Sequence, residues 1–167
     1  MAASGSTGRG GRRCLLKAAA LAPLALLVRP RDASGTDYAS AGEALASIDA
    51  LEAEVAFRLS RLEESVSSAR AFAASLRRDQ EAHRRERDAV RRRLGVPAAT
   101  TTRPSVADAL ELEALRGAEE KLTYAHAEAL PALGEATAVQ TLARHMVDLS
   151  RHLTLVGLWI EAEERRG

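Results

Sequence analysis

From residue 43 onward the apolar positions recur every three or four residues, which is the period of a helix with one buried face. Leu45, Ile48, Leu51, Val55, Leu59 and Leu62 predict helix A over about 43–65. Ser65, Ser67 and Ser68 form a break, with Ser68 placed to cap the next helix. Ala69, Phe72, Leu76, Val90 and Leu94 mark the inward line of helix B, over about 69–94. Gly95 suits its C-terminus and Pro97 bars continuation. The stretch 95–104, rich in Thr and Pro, predicts a loop, and Ser105 with Asp108 resembles a capping box. Helix C then runs to about 130, where Pro131 and Gly134 end or kink it. Helix D covers about 137–164 with a seam of Val139, Leu142, Met146, Leu149, Leu153, Val156 and Ile160. The A–B and C–D connections are short, which favours antiparallel neighbours, while the B–C link is long enough to cross a bundle.

Composition narrows this further. Aromatics are 3% of the 167 residues, and the chain is rich in Ala, Leu, Glu and Arg, so an all-β fold is excluded. One cysteine, Cys14, leaves no internal disulfide and no Cys-rich zinc site. The net charge of +1 averages two unlike parts. Residues 1–31 carry Arg9, Arg12, Arg13, Lys17, Arg29 and Arg31 and no acid, a charge of +6. The remainder holds 18 basic against 23 acidic residues, and so is mildly acidic. With few stacking platforms and no basic excess, it is not a nucleic-acid binder. No nucleophile elbow or glycine-rich phosphate loop is present.

The basic N-terminal part leads into an apolar run of 11 residues, Ala18 to Val28, too short for a transmembrane helix and right for a signal h-region. Gly11-Arg12-Arg13-Cys14-Leu15-Leu16-Lys17 resembles the twin-arginine export signal, with Gly11 in place of its hydroxyl residue and Leu15 in place of Phe. An organellar transit peptide is the alternative reading. Ala33-Ser34-Gly35 and Ala39-Ser40-Ala41 are formal cleavage sites. The expected organisation is a signal and flexible segment over 1–41 and a four-helix domain over 42–167. The twin-arginine resemblance implies an exported protein of the periplasm or cell envelope. Its partner is the export machinery, and it touches the membrane only if the signal is left uncleaved.

Polar residues interrupt the apolar faces near mid-length. Helix B has Asp79, Gln80, His83, Glu86 and Arg87 at or beside its inward line, and helix C has Glu119 and His126. Glu52 borders the core of helix A, and His145, Asp148 and His152 stand in a column beside the seam of helix D. Carboxylates and imidazoles inside a bundle are costly unless paired or bound to metal. Bland readings stand beside this one. Glu81, Glu86 and Arg84 to Arg87 also suit a solvated face of helical ion pairs. His126 alone suits a core histidine, and Arg91–Arg93 suit a helix C-terminus.

Residues 43–160 resemble the ferritin-like superfamily, including its exported bacterial branches. Leu51-Glu52-Ala53-Glu54 is similar to the first-helix Glu segment. Asp79-Gln80-Glu81-Ala82-His83 is similar to the second-helix Asp-Glu-x-x-His, closed by Leu94-Gly95. Glu119-Glu120 with Tyr124 resembles the third-helix Glu motif, and Leu142-Ala143-Arg144-His145 the fourth-helix Glu-Ala-Arg-His. The resemblance implies an all-α, antiparallel four-helix ferritin-like bundle, compatible with a homo-oligomer. It also implies iron or manganese held by Glu52, His83, Glu119 and His145. Two family carboxylates are replaced, by Gln80 and Leu142, so the implied site is degenerate and the expectation reaches to binding rather than to redox catalysis. The alternative is a non-catalytic binding or assembly module of the envelope that has lost the metal site.

Overall fold

The first described helix begins at a cap built by its own sequence. In the computed structural model, which describes residues 38–98 and 112–166, Ser40 Oγ accepts the Glu43 amide at 3.2 Å. Glu43 in turn accepts the Ala39 amide at 2.9 Å, so two amides that the helix leaves free are paired. Helix α1 spans Ala41–Ser65, and a single 3-10 turn, Ser67–Ala69, leads into α2 over Arg70–Leu94. Ser68 does not cap α2: the residue before the helix is Ala69, and no side chain bonds there. The 3-10 turn carries the chain straight in instead. Helix α2 ends at Gly95, at φ 68°, with the Gly95 and Val96 amides returning to Arg92 and Arg91 carbonyls.

Helix α3 covers Leu112–Leu133 and α4 covers Ala136–Glu164. Pro131 lies within the last turn of α3 and does not stop it; the helix ends before Gly134, at φ 65°. Glu135 caps α4 by accepting the amides of Thr137 and Ala138. The expected cap at Ser105 and Asp108 lies outside the described residues, as does the whole signal segment up to Asp37. The chain divides after Ser34, and all described residues belong to the second part. Among the described residues there is no strand, and no helix is long and apolar enough to cross a membrane.

The four helices form a bundle. The packed pairs are α1 with α2, α1 with α3, α3 with α4, and α2 with α4. Side-chain contacts give the directions. Glu52 meets Arg87 while Glu63 meets Arg77, so α1 and α2 are antiparallel. Asp79 meets His152 and Glu86 meets His145, so α2 and α4 are antiparallel. Glu119 lies with Gln80 and His152, and His126 lies with His145, so α3 runs against α4 and parallel to α2. Two antiparallel hairpins are therefore joined so that α2 and α3 point the same way. The end of α2 at Leu94 and the start of α3 at Leu112 therefore lie about 30 Å apart along the bundle axis, at 1.5 Å per helical residue.

The core is aliphatic at both ends, with Leu45, Ile48, Val90 and Leu133 toward one and Leu59, Leu62, Leu76, Leu115 and Val156 toward the other. Phe72 stacks on Trp159 at a ring separation of 5.2 Å. The buried line of α4 is Ala138, Leu142, His145, Leu149, His152, Val156 and Ile160. The predicted seam placed Val139, Met146 and Leu153 in that line and the histidines beside it; the helix is rotated, and the two imidazoles are in the seam itself.

Candidate functional site

A belt of polar side chains crosses the middle of the bundle. Glu52, Gln80, His83, Arg87, Arg91, Glu119, Thr123, His126, His145 and His152 are all buried. All four histidines of the chain are among them. The belt has three parts, each positioned by helical spacing.

The first part is an ion-pair network between α1 and α2. Asp49 and Glu52 stand one turn apart on α1, facing Arg87 and Arg91 one turn apart on α2. Arg87, 1% exposed, holds Glu52 with both terminal nitrogens and gives its Nε–H to Asp49 Oδ1 at 2.7 Å. Arg91 bonds the other Asp49 oxygen and the Pro97 carbonyl, the latter at 3.0 Å. Burial pushes the Glu52 carboxyl above its usual range, with the Arg87 guanidinium opposing. Burial disfavours the Arg87 cation, but Glu52 and Asp49 outweigh it and raise its pKa. Arg87 is thus not part of a solvated face: Glu81 pairs with Arg84 and Arg85 there, while Arg87 turns inward.

The second part is Glu119, fully buried on α3. Both its oxygens lie 3.4 Å from the Gln80 amide nitrogen, and His152 Nδ1 is 3.6 Å from one of them. The last is an ion-pair distance rather than a hydrogen bond. Across its ring, His152 Nε2 meets Asp79 at 3.2 Å. Burial opposes charge on His152, yet Glu119 and Asp79 on its two sides prevail and raise its pKa.

The third part closes the seam between α2 and α4 with three rungs. Asp79 meets His152, His83 meets Asp148 at 3.2 Å, and Glu86 meets His145 at 2.9 Å. The histidine of each rung is buried and its carboxylate is roughly half exposed. Arg144 adds a second contact to Glu86 at 2.6 Å. The rings of His83 and His145 stack at 4.2 Å, and His126 stands edge-on to His145 at 5.8 Å. His126 Nδ1 bonds the Leu122 carbonyl at 2.8 Å. Burial lowers the pKa of His83, of His126 to about 3 and of His145 to about 4, against the carboxylates on His83 and His145 and the carbonyl on His126. These three rings are therefore neutral near pH 7. Their inner nitrogens, His83 Nδ1, His126 Nε2 and His145 Nδ1, have no hydrogen-bond partner, and neither has Gln80 Oε1. Each such buried acceptor costs about 1–3 kcal/mol.

Of the expected site residues, His83 and His145 come together, and Glu119 lies near them through His152. Glu52 is turned to Arg87. Among the described residues no three His, Cys, Asp or Glu side chains stand where they could hold a metal ion together. Asp49, Arg87, Arg91 and His152 carry more of the belt than spacing alone assigned them. A signal for the first three existed, in acids at i and i+3 on α1 matched by arginines at i and i+4 on α2.

The neutral histidines predict acid sensitivity. An unfolded histidine takes up a proton near pH 6.5, whereas folded His126 and His145 resist until about 3 and about 4. The unfolded state thus binds more protons below 6.5, and stability falls as pH drops from about 6.5 toward 4. His152, shifted up, works the other way, but it is one ring against three. In chelator-treated protein the urea midpoint should fall between pH 7 and pH 5, with the raised Glu52 carboxyl acting in the opposite sense to the three rings. A midpoint constant across that interval would contradict the assigned neutral rings.

Comparison of the chain with protein-family models, with curated proteins and with solved structures finds no match in any of the three.

Proposed function

We propose that the chain is an exported ferritin-like four-helix bundle that acts as a non-catalytic binding module of the cell envelope. In this reading its carboxylate metal centre has given way to internal ion pairs. The observation that carries this is Arg87, a permanent cation, held between Glu52 and Asp49 in the interior. The ferritin-like reading is supported by the helix order. Two antiparallel hairpins joined by one long crossover is the connection pattern of that superfamily.

Iron or manganese favours oxygen donors, and a paired centre needs carboxylates that can face the ions. Both oxygens of Glu52 are taken by Arg87, and those of Glu119 face the Gln80 amide and His152. Gln80 and Leu142 stand where the resemblance implies two more carboxylates. These residues do not fit a carboxylate-bridged pair of iron or manganese ions. The expected outcome is that protein purified without chelator oxidises added ferrous iron no faster than buffer. Stoichiometric oxidation that is lost in His83→Ala would defeat this reading.

Export rests on Arg12 and Arg13 ahead of the Ala18–Val28 run. Changing both arginines to lysine should leave the chain in the cytoplasm, read by fractionation; normal export of the double variant would remove the twin-arginine assignment. Processing at Ala33-Ser34-Gly35 keeps the Ser40 cap of α1, whereas cutting after Ala41 would discard it.

A further inference from the structure

Charge is sorted by helix. Helix α2 carries nine arginines against four acids. The other three helices carry six, four and four acids against two bases each. Arg87 and Arg91 are paired inside, with Glu52 and Asp49. Six of the others stand in two rows at seven-residue spacing, Arg70, Arg77 and Arg84 beside Arg78, Arg85 and Arg92. That spacing is nearly two full turns, so both rows follow one outward face, over about 33 Å. All six are exposed, and Arg70, Arg78 and Arg92 form no ion pair with another described residue. Arg77 reaches Glu63 only at 3.4 Å. The acids among the rows are Glu81, shared by Arg84 and Arg85, and Asp88. The other outward positions hold Ala71, Ala74, Ala82 and Ala89, so no taller side chain screens the guanidinium groups. Toward α1 the ridge drops into a groove of about 1070 Å³, whose α1 side includes Ala53 and Ala56.

We infer that the arginine ridge of α2 docks the protein on an anionic bilayer surface, its guanidinium groups meeting lipid phosphates. This rests on the reading of the chain as a binding module of the envelope, and it names the partner. An anionic bilayer attracts basic residues held near it, each raising partition about fivefold. Three properties of the ridge match a bilayer better than a protein. It is convex and presents charge along most of a helix, which an extended surface can meet at every level at once. Its outward face carries no aromatic or large aliphatic side chain, the anchor on which the centre of a protein interface depends. The small residues of α1 leave room for headgroups beside Arg77, Arg78, Arg84 and Arg85. With no apolar side chain to insert, the contact is electrostatic and is screened over about 8–10 Å at physiological salt. The same surface repels the net acidic helices α1, α3 and α4, so the bundle approaches with α2 foremost.

The test sediments the full chain with phosphatidylcholine vesicles containing phosphatidylglycerol. The parent should bind and be released by added salt. Arg78→Gln, Arg85→Gln and Arg92→Gln combined should lower the partition coefficient roughly 100-fold. Arg116→Gln, Arg151→Gln and Arg165→Gln combined change the net charge equally but lie on α3, on α4 and at its C-terminal cap, and should bind as the parent does. All six side chains are exposed, and circular dichroism checks that both triple variants are folded. Should the ridge triple not fold, Arg78→Gln alone, with an expected loss of about fivefold, takes its place. The basic segment 1–31 is the same in every protein, so the difference between the two triples reads the ridge. The inference is overturned if the parent does not bind, if the ridge variant binds undiminished, or if both triples lose binding equally. Ridge-dependent binding of polyglutamate or duplex DNA, with none of vesicles, overturns the lipid assignment in favour of another anionic partner. Absent vesicle binding alongside absent iron oxidation overturns the inference alone. Iron oxidation overturns the proposed function, whatever the vesicles do.

Discussion

Arg87→Ala is expected to lower the unfolding free energy by about 3–5 kcal/mol. The substitution leaves the Glu52 and Asp49 carboxylates on α1 facing a void, with Arg91 still on one Asp49 oxygen and nothing on Glu52. The cost is that of an uncompensated buried charge, which exceeds the net worth of the pair itself. Two companion variants separate those quantities. Arg87→Met combined with Glu52→Leu removes both charges and fills the space, and should recover much of the loss. Arg87→Lys keeps the charge but cannot hold both oxygens of Glu52 and an oxygen of Asp49 at once, and should fall between. Chemical denaturation measures all three. A loss below about 1 kcal/mol for Arg87→Ala would mean that Glu52 reaches water or takes up a proton at little cost, and the network would not be structural.

Leu149→Ala should cost about 2–5 kcal/mol. Leu149 is fully buried on the inward line of α4 between His145 and His152, so its side chain separates two polar levels of the belt. Removing it opens a cavity bordered by imidazoles on both sides. The comparison is Leu94→Ala, at the end of α2, where the side chain is only partly buried and the helix terminus can adjust. The Leu94 variant should lose clearly less. Equal losses, or an unchanged denaturation midpoint for Leu149→Ala, would contradict the observed seam.

The helices were legible because their apolar residues keep a period near 3.6 over four long stretches, and no strand pattern competes. Their ends were legible where a single residue decides, as Gly95 and Gly134 do by adopting positive φ. Pro131 misled because a proline in the last turn loses only one bond, and the helix closes around it. The position of the belt was legible as polar residues on inward lines. Its internal pairing was not, because pairing depends on how each helix is turned about its axis. Val139, Met146 and Leu153 offered α4 an apolar face one residue round from the true one. The true face buries His145 and His152, which is permitted only because Glu86, Asp79 and Glu119 wait on the neighbouring helices. Nothing along α4 itself announces those partners. Likewise the pairing of Asp49 with Arg87 and Arg91 is set only when α1 and α2 are brought face to face.

The three rungs between α2 and α4 also act as a ruler. Along α2 the order is acid, imidazole, acid at Asp79, His83 and Glu86; along α4, read in the opposite sense, it is imidazole, acid, imidazole at His152, Asp148 and His145. Slide α4 by one turn, about 5.4 Å, and Asp79 faces Asp148 while His83 faces His145. Slide it the other way, and His83 faces His152 while Glu86 faces Asp148. Either slip sets like against like at two levels. Leucines would pack nearly as well after such a slip, since one aliphatic layer resembles the next. The alternation of acid and imidazole therefore selects a single alignment of the two hairpins.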